Sequence, residues 1–175
     1  MSTGGYDSFT KVFHWALAVI IFAEYIFVWM IPEGTRGPNA LASYHMSFGI
    51  VVLVLMLARI AWRARVSADR PAHPAGMPSW QMQASAWTHG AFYILLVVLP
   101  LSGWLWISAN GWNVTLFGLM KLPHILPKNP AVGAFFSYTH ELLASAVLAL
   151  VALHVAAALY HWLVVKDRMM QSIWP

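Results

Sequence analysis

The sequence predicts an all-α membrane protein, a four-transmembrane-helix bundle with both termini cytoplasmic. Three observations carry that expectation. Four apolar runs, roughly 11–31, 41–63, 84–108 and 134–165, are each long enough to cross a hydrocarbon layer that takes about 20 helical residues. Only 9% of the 175 residues are charged and 60% are hydrophobic, whereas about a quarter of a soluble domain is charged. The basic residues are also unevenly placed. Lys11, Arg59, Arg63, Arg65, Arg70, Lys166 and Arg168 fall on one side, and Arg36, Lys121 and Lys128 on the other. Positive charge stays in the cytoplasm, so the majority side is the inner one, and an even number of spans returns the chain to it.

Each run has its own stops. The first follows the polar arm 1–10 and ends at Pro32-Glu33-Gly34. Its length, its lack of a small-residue cleavage site and His14 within it argue against a cleavable signal. The second follows the turn at Pro38-Asn39 and ends in Arg63 and Arg65. A proline-rich loop, 66–79, leads to the third, where Pro100 predicts a bend and Ser102-Gly103 an interruption. Bilayer helices tolerate such a proline when neighbours supply partners for the freed backbone groups. The stretch 109–133, with Gly111, Gly118, Pro123, Pro127 and Pro130, reads as an interfacial loop with one short amphipathic turn. The fourth run, 134–165, completes the set. Ten Trp and six Tyr suit the two membrane–water boundaries.

Composition excludes several chemistries. There is no cysteine, hence no disulfide, thiolate metal site or cysteine-bound iron–sulfur cluster. The formal charge of +4 is explained by topology, so no nucleic-acid partner is expected.

The histidines are the informative residues. Ionisable groups inside a bilayer are expensive, and the default reading of that expense is function. His140 and His154 are 14 residues apart on the fourth run. That is two heptads, within roughly 40° of one face and about 21 Å along the axis. One helix thus offers an imidazole near each side of the membrane. In the expected topology His45 enters from the outer side to the depth of His140, giving an outer pair. His14, His89, His154 and His161 form an inner cluster. One such histidine could merely hydrogen-bond between helices. Four at matching depths, two of them on one helix face, favour a shared task.

Haem suits this arrangement. Its iron takes axial ligands on opposite faces of a flat ring, imidazole is a good ligand, and helix bundles build cofactor sites from facing side chains. Small residues near the ligands would leave room for the ring: Gly49, Ala144 and Ala158 each lie one turn after a histidine. They serve plain helix packing in lipid equally well. Zinc fits less well, since it wants three or four close ligands, and the outer pair has only Glu141 beside it. The spacing identifies the outer pair and leaves the choice among the inner four open.

These residues carry a family resemblance. Phe13-His14-Trp15 in the first run, Tyr44-His45 with Gly49 and then Arg59 and Arg63 in the second, and Leu99-Pro100 in the third resemble the bacterial cytochrome b561 family. So do Thr139-His140-Glu141 and the stretch Leu153-His154 through Tyr160-His161, running into Lys166-Asp167, which is the most specific part. The likeness covers all four spans, and the loops match poorly. It implies a single dihaem cytochrome b domain over 1–175, two haem b groups, and electron transfer between an outer donor and membrane quinone. By the resemblance, His45 and His140 hold the outer haem and His14 and His154 the inner one. The expected location is the bacterial cytoplasmic (inner) membrane, crossed several times.

The remaining polar residues follow from that frame. His89 and His161 are spare histidines beside the inner haem. They are propionate or interfacial partners, or the donors of a quinone site, since quinone reduction needs a hydrogen-bond donor and protons, which histidine supplies near neutrality. Arg59, 14 residues after His45, is a haem-propionate candidate, or a side chain reaching for headgroups. Arg63 and Arg36 are weaker candidates. Lys121 and Lys128 would make the outer surface positive. Glu24 is given no catalytic role, and His73 and His124 fall in proline-rich loops. The resemblance leaves two classes open. One is a quinone-linked oxidoreductase similar to a superoxide oxidase. The other is a cytochrome b subunit anchoring a periplasmic dehydrogenase or hydrogenase, with a redox protein as partner. A non-redox transporter whose histidines bind protons or metal is a third reading. A homodimer is compatible with any of them.

Overall fold

The computed structural model describes residues 5–32, 39–66, 77–167 and 169–174. Arg36, Arg70, His73 and Arg168 lie outside the described residues. Four helices are long and apolar enough to cross a membrane: α1 Ser8–Met30, α2 Ala40–Arg65, α3 Ser79–Asn110 and α4 Pro130–Tyr160, the last continued by a π-helical turn, His161–Val165. Between α3 and α4 lies a small hairpin, β1 Thr115–Leu116 antiparallel to β2 Met120–Lys121, and the chain closes with α5 Met169–Ile173.

Local chemistry sets the helix ends. Asp7 accepts from the Thr10 backbone N–H at 3.0 Å and caps α1. The same carboxylate accepts from the Trp62 indole at 3.0 Å, which ties the start of α1 to the end of α2. Slight burial pushes the Asp7 carboxyl up, but the bonds from Thr10 and Trp62 outweigh this and hold it below its ordinary value. Asn39 caps α2 through Ala42 N–H at 2.8 Å. Helix α3 ends at Gly111, whose φ of 73° is the left-handed conformation that closes a helix most easily when no Cβ is present.

The structure departs from the sequence expectations at three points. Ser102-Gly103 does not interrupt α3, which runs unbroken through Pro100. Proline removes one backbone donor, and the rest of the ladder carries the helix on. The 109–133 stretch holds the β-hairpin in place of an amphipathic helical turn. Phe117 and Gly118, with φ of 49° and 74°, make its turn. Helix α4 also starts earlier than the hydrophobic run suggests. Asn129 accepts from Ala131 and Val132 N–H, and Pro130 occupies the first helical position, where its missing N–H costs nothing.

Successive helices pack side by side, and α4 also reaches α1, so the bundle closes. Leu17, Val52, Met56, Leu96 and Val147, drawn from all four helices, form the buried centre. Val147 lies midway between His140 and His154 in sequence. Apolar burial drives little association in lipid, where packing and interhelical hydrogen bonds do more. Tyr25 Oη donates to the Ala144 carbonyl at 2.7 Å and joins α1 to α4. Side chains such as Phe22, Val54, Ile94 and Leu142 face outward.

Candidate functional site: two histidine pairs at two depths

The outer pair is His45 on α2 and His140 on α4. Their ring centres are 6.1 Å apart and nearly perpendicular, at 82°. Two imidazoles bound to one metal atom at about 2.0 Å would stand with ring centres roughly 6 Å apart. Each ring is anchored through Nδ1. His140 Nδ1 donates to the Leu99 carbonyl at 3.1 Å and lies 3.1 Å from Ser102 Oγ, which itself donates to Leu99 at 2.7 Å. His45 Nδ1 is hydrogen-bonded to Glu24 Oε2 on α1. With Nδ1 held in both, Nε2 is the nitrogen each ring presents to a metal.

Space beside the outer pair comes from Gly103. A Cβ there would lie 3.0 Å from His140 Cε1. Gly49 sits against Glu24: a Cβ at this position would lie 3.7 Å from Glu24 Oε1. The hairpin packs against α2. The buried Ser47 hydroxyl, two residues past His45, donates to the Thr115 carbonyl at 3.1 Å and accepts from Phe117 N–H at 2.8 Å. Phe48 and Phe117 rings pack at 5.1 Å. The chain between α3 and α4 is thereby fastened to α2 close to His45 in sequence.

The inner level brings together three of the four expected histidines. His14 on α1 and His154 on α4 have ring centres 6.2 Å apart, and His89 on α3 lies 5.6 Å from His154. The His14–His154 separation repeats that of the outer pair. His14 and His154 are half-buried and His89 is exposed, with its Nδ1 donating to the Ser85 carbonyl at 2.7 Å. Trp15 packs on His14 and Phe92 on His154. Arg59 is near enough for its charge to act on both His14 and His154. Arg63 instead lies over the Tyr93 ring at 5.9 Å.

His161 occupies the π-helical turn and donates from Nδ1 to Asp167 Oδ2 at 2.6 Å. The other Asp167 oxygen caps α5 through Met169 N–H at 3.0 Å. Helix α5 returns to α1, where Ile173 O accepts from the Trp15 indole at 3.0 Å and Ser172 O from Tyr6 N–H at 3.0 Å. The C-terminal end of the described chain therefore lies beside the residue that follows His14. Lys121, Lys128, His124 and Glu141 are exposed.

Three contributors carry a ligand-orienting role that the sequence did not assign them: Glu24, the Leu99 carbonyl and Ser102. Glu24 carried a usable signal, since it lies about as far from the outer end of its span as His45 does from the start of its own. The Leu99 carbonyl carried none, because any helix has carbonyls. Among the described residues, no three His, Asp or Glu side chains converge to hold a metal ion. The outer site offers one pair of imidazoles and the inner site two alternative pairs that share His154, and a pair is the donor set that suits a metal whose other ligands come from a planar ring.

The family described as prokaryotic cytochrome b561 matches residues 5–175. "Cytochrome b561 homolog 1" of Escherichia coli is 28% identical over 165 residues, covering 93% of this chain and 92% of that protein. "Probable superoxide oxidase CybB" of Yersinia pestis is 28% identical over 163 residues, covering 93% and 91%. "Cytochrome b562" of Cereibacter sphaeroides is 26% identical over 174 residues, covering 95% and 92%.

Proposed function

The chain belongs to the prokaryotic cytochrome b561 family, and from that premise we propose that it is a dihaem electron carrier passing electrons between a donor on the outer side and quinone near the inner side. Membership makes it a membrane protein that binds b-type haem. The proposal adds the number of haems, their ligands, the direction across the bilayer and the inner membrane as location. One observation carries it: facing imidazoles recur at 6.1 and 6.2 Å, at two levels joined by one helix. Haem b bound there supplies a one-electron carrier at each level.

The protein's own residues do the rest. His45 and His140 would hold the outer group and His14 and His154 the inner one. Leu99 and Ser102 orient His140, and Gly103 keeps its surroundings open. The apolar layer around Val147 keeps water from the space between the levels. Arg59 would pair with propionates at the inner level. His161, its Nδ1 fixed by Asp167, would present Nε2 to a quinone carbonyl, with His89 as the second candidate. The positive count on the loops supports cytoplasmic termini. The relative named as a probable superoxide oxidase supports superoxide as the outer donor. The test is haem per polypeptide in the purified protein, with superoxide-dependent quinone reduction measured on the isolated chain. Two haems and turnover support the reading; a single haem, or none, overturns it. Turnover that needs a co-purifying periplasmic redox protein transfers the chain to the anchor-subunit class.

A further inference from the structure

Glu24 is the anomaly of the bundle. It is a carboxylic acid in the last third of α1, 9% exposed, in a helix whose other membrane-embedded residues are almost all apolar. A carboxylate taken out of water is costly unless it is paired and hydrogen-bonded. One oxygen, Oε2, has a partner, Nδ1 of His45. The other, Oε1, is buried without a hydrogen-bond partner among the described residues. A half-satisfied buried acid weakens a bundle that a leucine at the same place would not, so its presence points to a task beyond holding α1 to α2.

We infer that Glu24 is a positioning residue for the outer haem, which fixes the His45 tautomer and makes His45 the more electron-rich of the two outer ligands. The inference rests on the dihaem reading above. A neutral imidazole carries one proton. If Glu24 donated to Nδ1, the proton on the ring would sit on Nε2, and His45 could not ligate through that nitrogen. Ligation through Nε2 therefore requires Nδ1–H as donor and a Glu24 oxygen as acceptor, and we take that acceptor as the ionised carboxylate. A carboxylate in this place draws the Nδ1 proton toward itself and raises the basicity of Nε2. It would also set a negative charge beside the ligand of any metal held by His45, where burial limits screening.

The partner ligand is built differently. His140 Nδ1 donates to a neutral backbone carbonyl, that of Leu99, at 3.1 Å. A hydrogen bond to an ionised acceptor is roughly twice as strong as one to a neutral acceptor. The two outer ligands are thus unequal by construction. The inner rings have aromatic neighbours, Trp15 and Phe92, and the cationic Arg59 nearby. Carboxylate at one level and guanidinium at the other stabilise opposite redox states. Glu24 favours ferric iron at the outer level, and Arg59 favours ferrous iron at the inner. The charges therefore slope the path downhill for an electron moving inward.

The test uses the whole protein in detergent or nanodiscs with both haems bound, and reads midpoint potentials by spectroelectrochemistry. Glu24→Gln keeps the shape and an oxygen that can accept from Nδ1–H but removes the charge. The expected result is an outer haem retained and about tenfold easier to reduce, which is about 59 mV upward for a one-electron couple, with the inner haem unmoved. Glu24→Asp, which keeps the charge and shortens the reach, should fall between. The unmodified ferric protein supplies a readout that needs no variant. Its outer low-spin electron paramagnetic resonance signal should show imidazolate character, and Glu24→Ala should abolish it. Unchanged outer potential and signal in all the folded variants overturn the inference, as does an unmodified protein whose two haems have indistinguishable signals. His45→Ala, run alongside, separates this failure from that of the dihaem reading. If it leaves haem content unchanged, His45 is not a ligand and the larger reading falls first.

Discussion

Gly103 and His140 share a space that only one of them can fill: a Cβ on the glycine would lie 3.0 Å from Cε1 and 3.1 Å from Nδ1 of the imidazole. Contacts under about 3.4 Å between such atoms force one side to move. A helix backbone moves less easily than a ring, so a larger residue would turn His140 off Leu99 and Ser102. Gly103→Val is expected to lose the outer haem and keep the inner one, halving the haem per polypeptide. A haemochrome assay on the purified variant checks it. Gly103→Ala should retain part of the outer haem.

The inner level makes a sharper distinction. His14 and His89 both face His154, at 6.2 and 5.6 Å, but only His14 is half-buried. His14→Ala should therefore remove the inner haem and leave the outer spectrum intact, while His89→Ala keeps both. A reversed result would assign the ligand to His89. Low-temperature reduced-minus-oxidised spectra of the two variants decide between them.

At the inner end, His161 and Asp167 form a bonded pair at 2.6 Å. If this pair serves as the proposed quinone donor and proton route, its loss has a separable effect. His161→Ala should keep both haems and slow quinone turnover about a hundredfold, in the range general acid–base groups supply. Asp167→Asn should slow it less, because the amide oxygen still accepts from Nδ1. Stopped-flow haem oxidation by a soluble quinone measures both. Unchanged turnover in His161→Ala would make the pair a clasp for α5 alone.

The Asp7 carboxylate predicts a pH effect outside the bilayer. Its bonds to Thr10 and Trp62 hold its pKa below the ordinary value. The fold therefore gains from the ionised form above the ordinary value of about 4 and loses that gain as pH falls through the lower, folded one. The Trp62 indole proton resonance should stay constant at neutral and mildly acidic pH, then shift below that range. Asp7→Asn should show no such step. The effect on overall stability is small, because the group is largely exposed to screening solvent.

How much of this was open to sequence reading follows from the physics of the solvent. A bilayer forces each span to be a helix of known length, so four spans and the depth of each histidine could be read from the chain alone. The outer pair needed only depth: His45 and His140 were matched because both enter from the same side. Depth also placed four histidines at the inner level, but choosing among them required knowing which way each helix is turned. Helix azimuth comes from packing, which carries no signature in a uniformly apolar run. For the same reason Glu24 could be counted but not paired: its bond to His45 depends on the rotation of α1 against α2. The hairpin's attachment to α2 rests on Ser47, a residue 68 positions from Thr115. The return of α5 to Trp15 spans 158 positions. Sequence alone determined that the chain crosses a membrane four times with imidazoles at two depths, because burial in lipid is a property of each residue and its near neighbours. Tertiary structure decided which imidazoles face one another and which acid holds one of them, because those are relations between surfaces that meet only after the helices have packed.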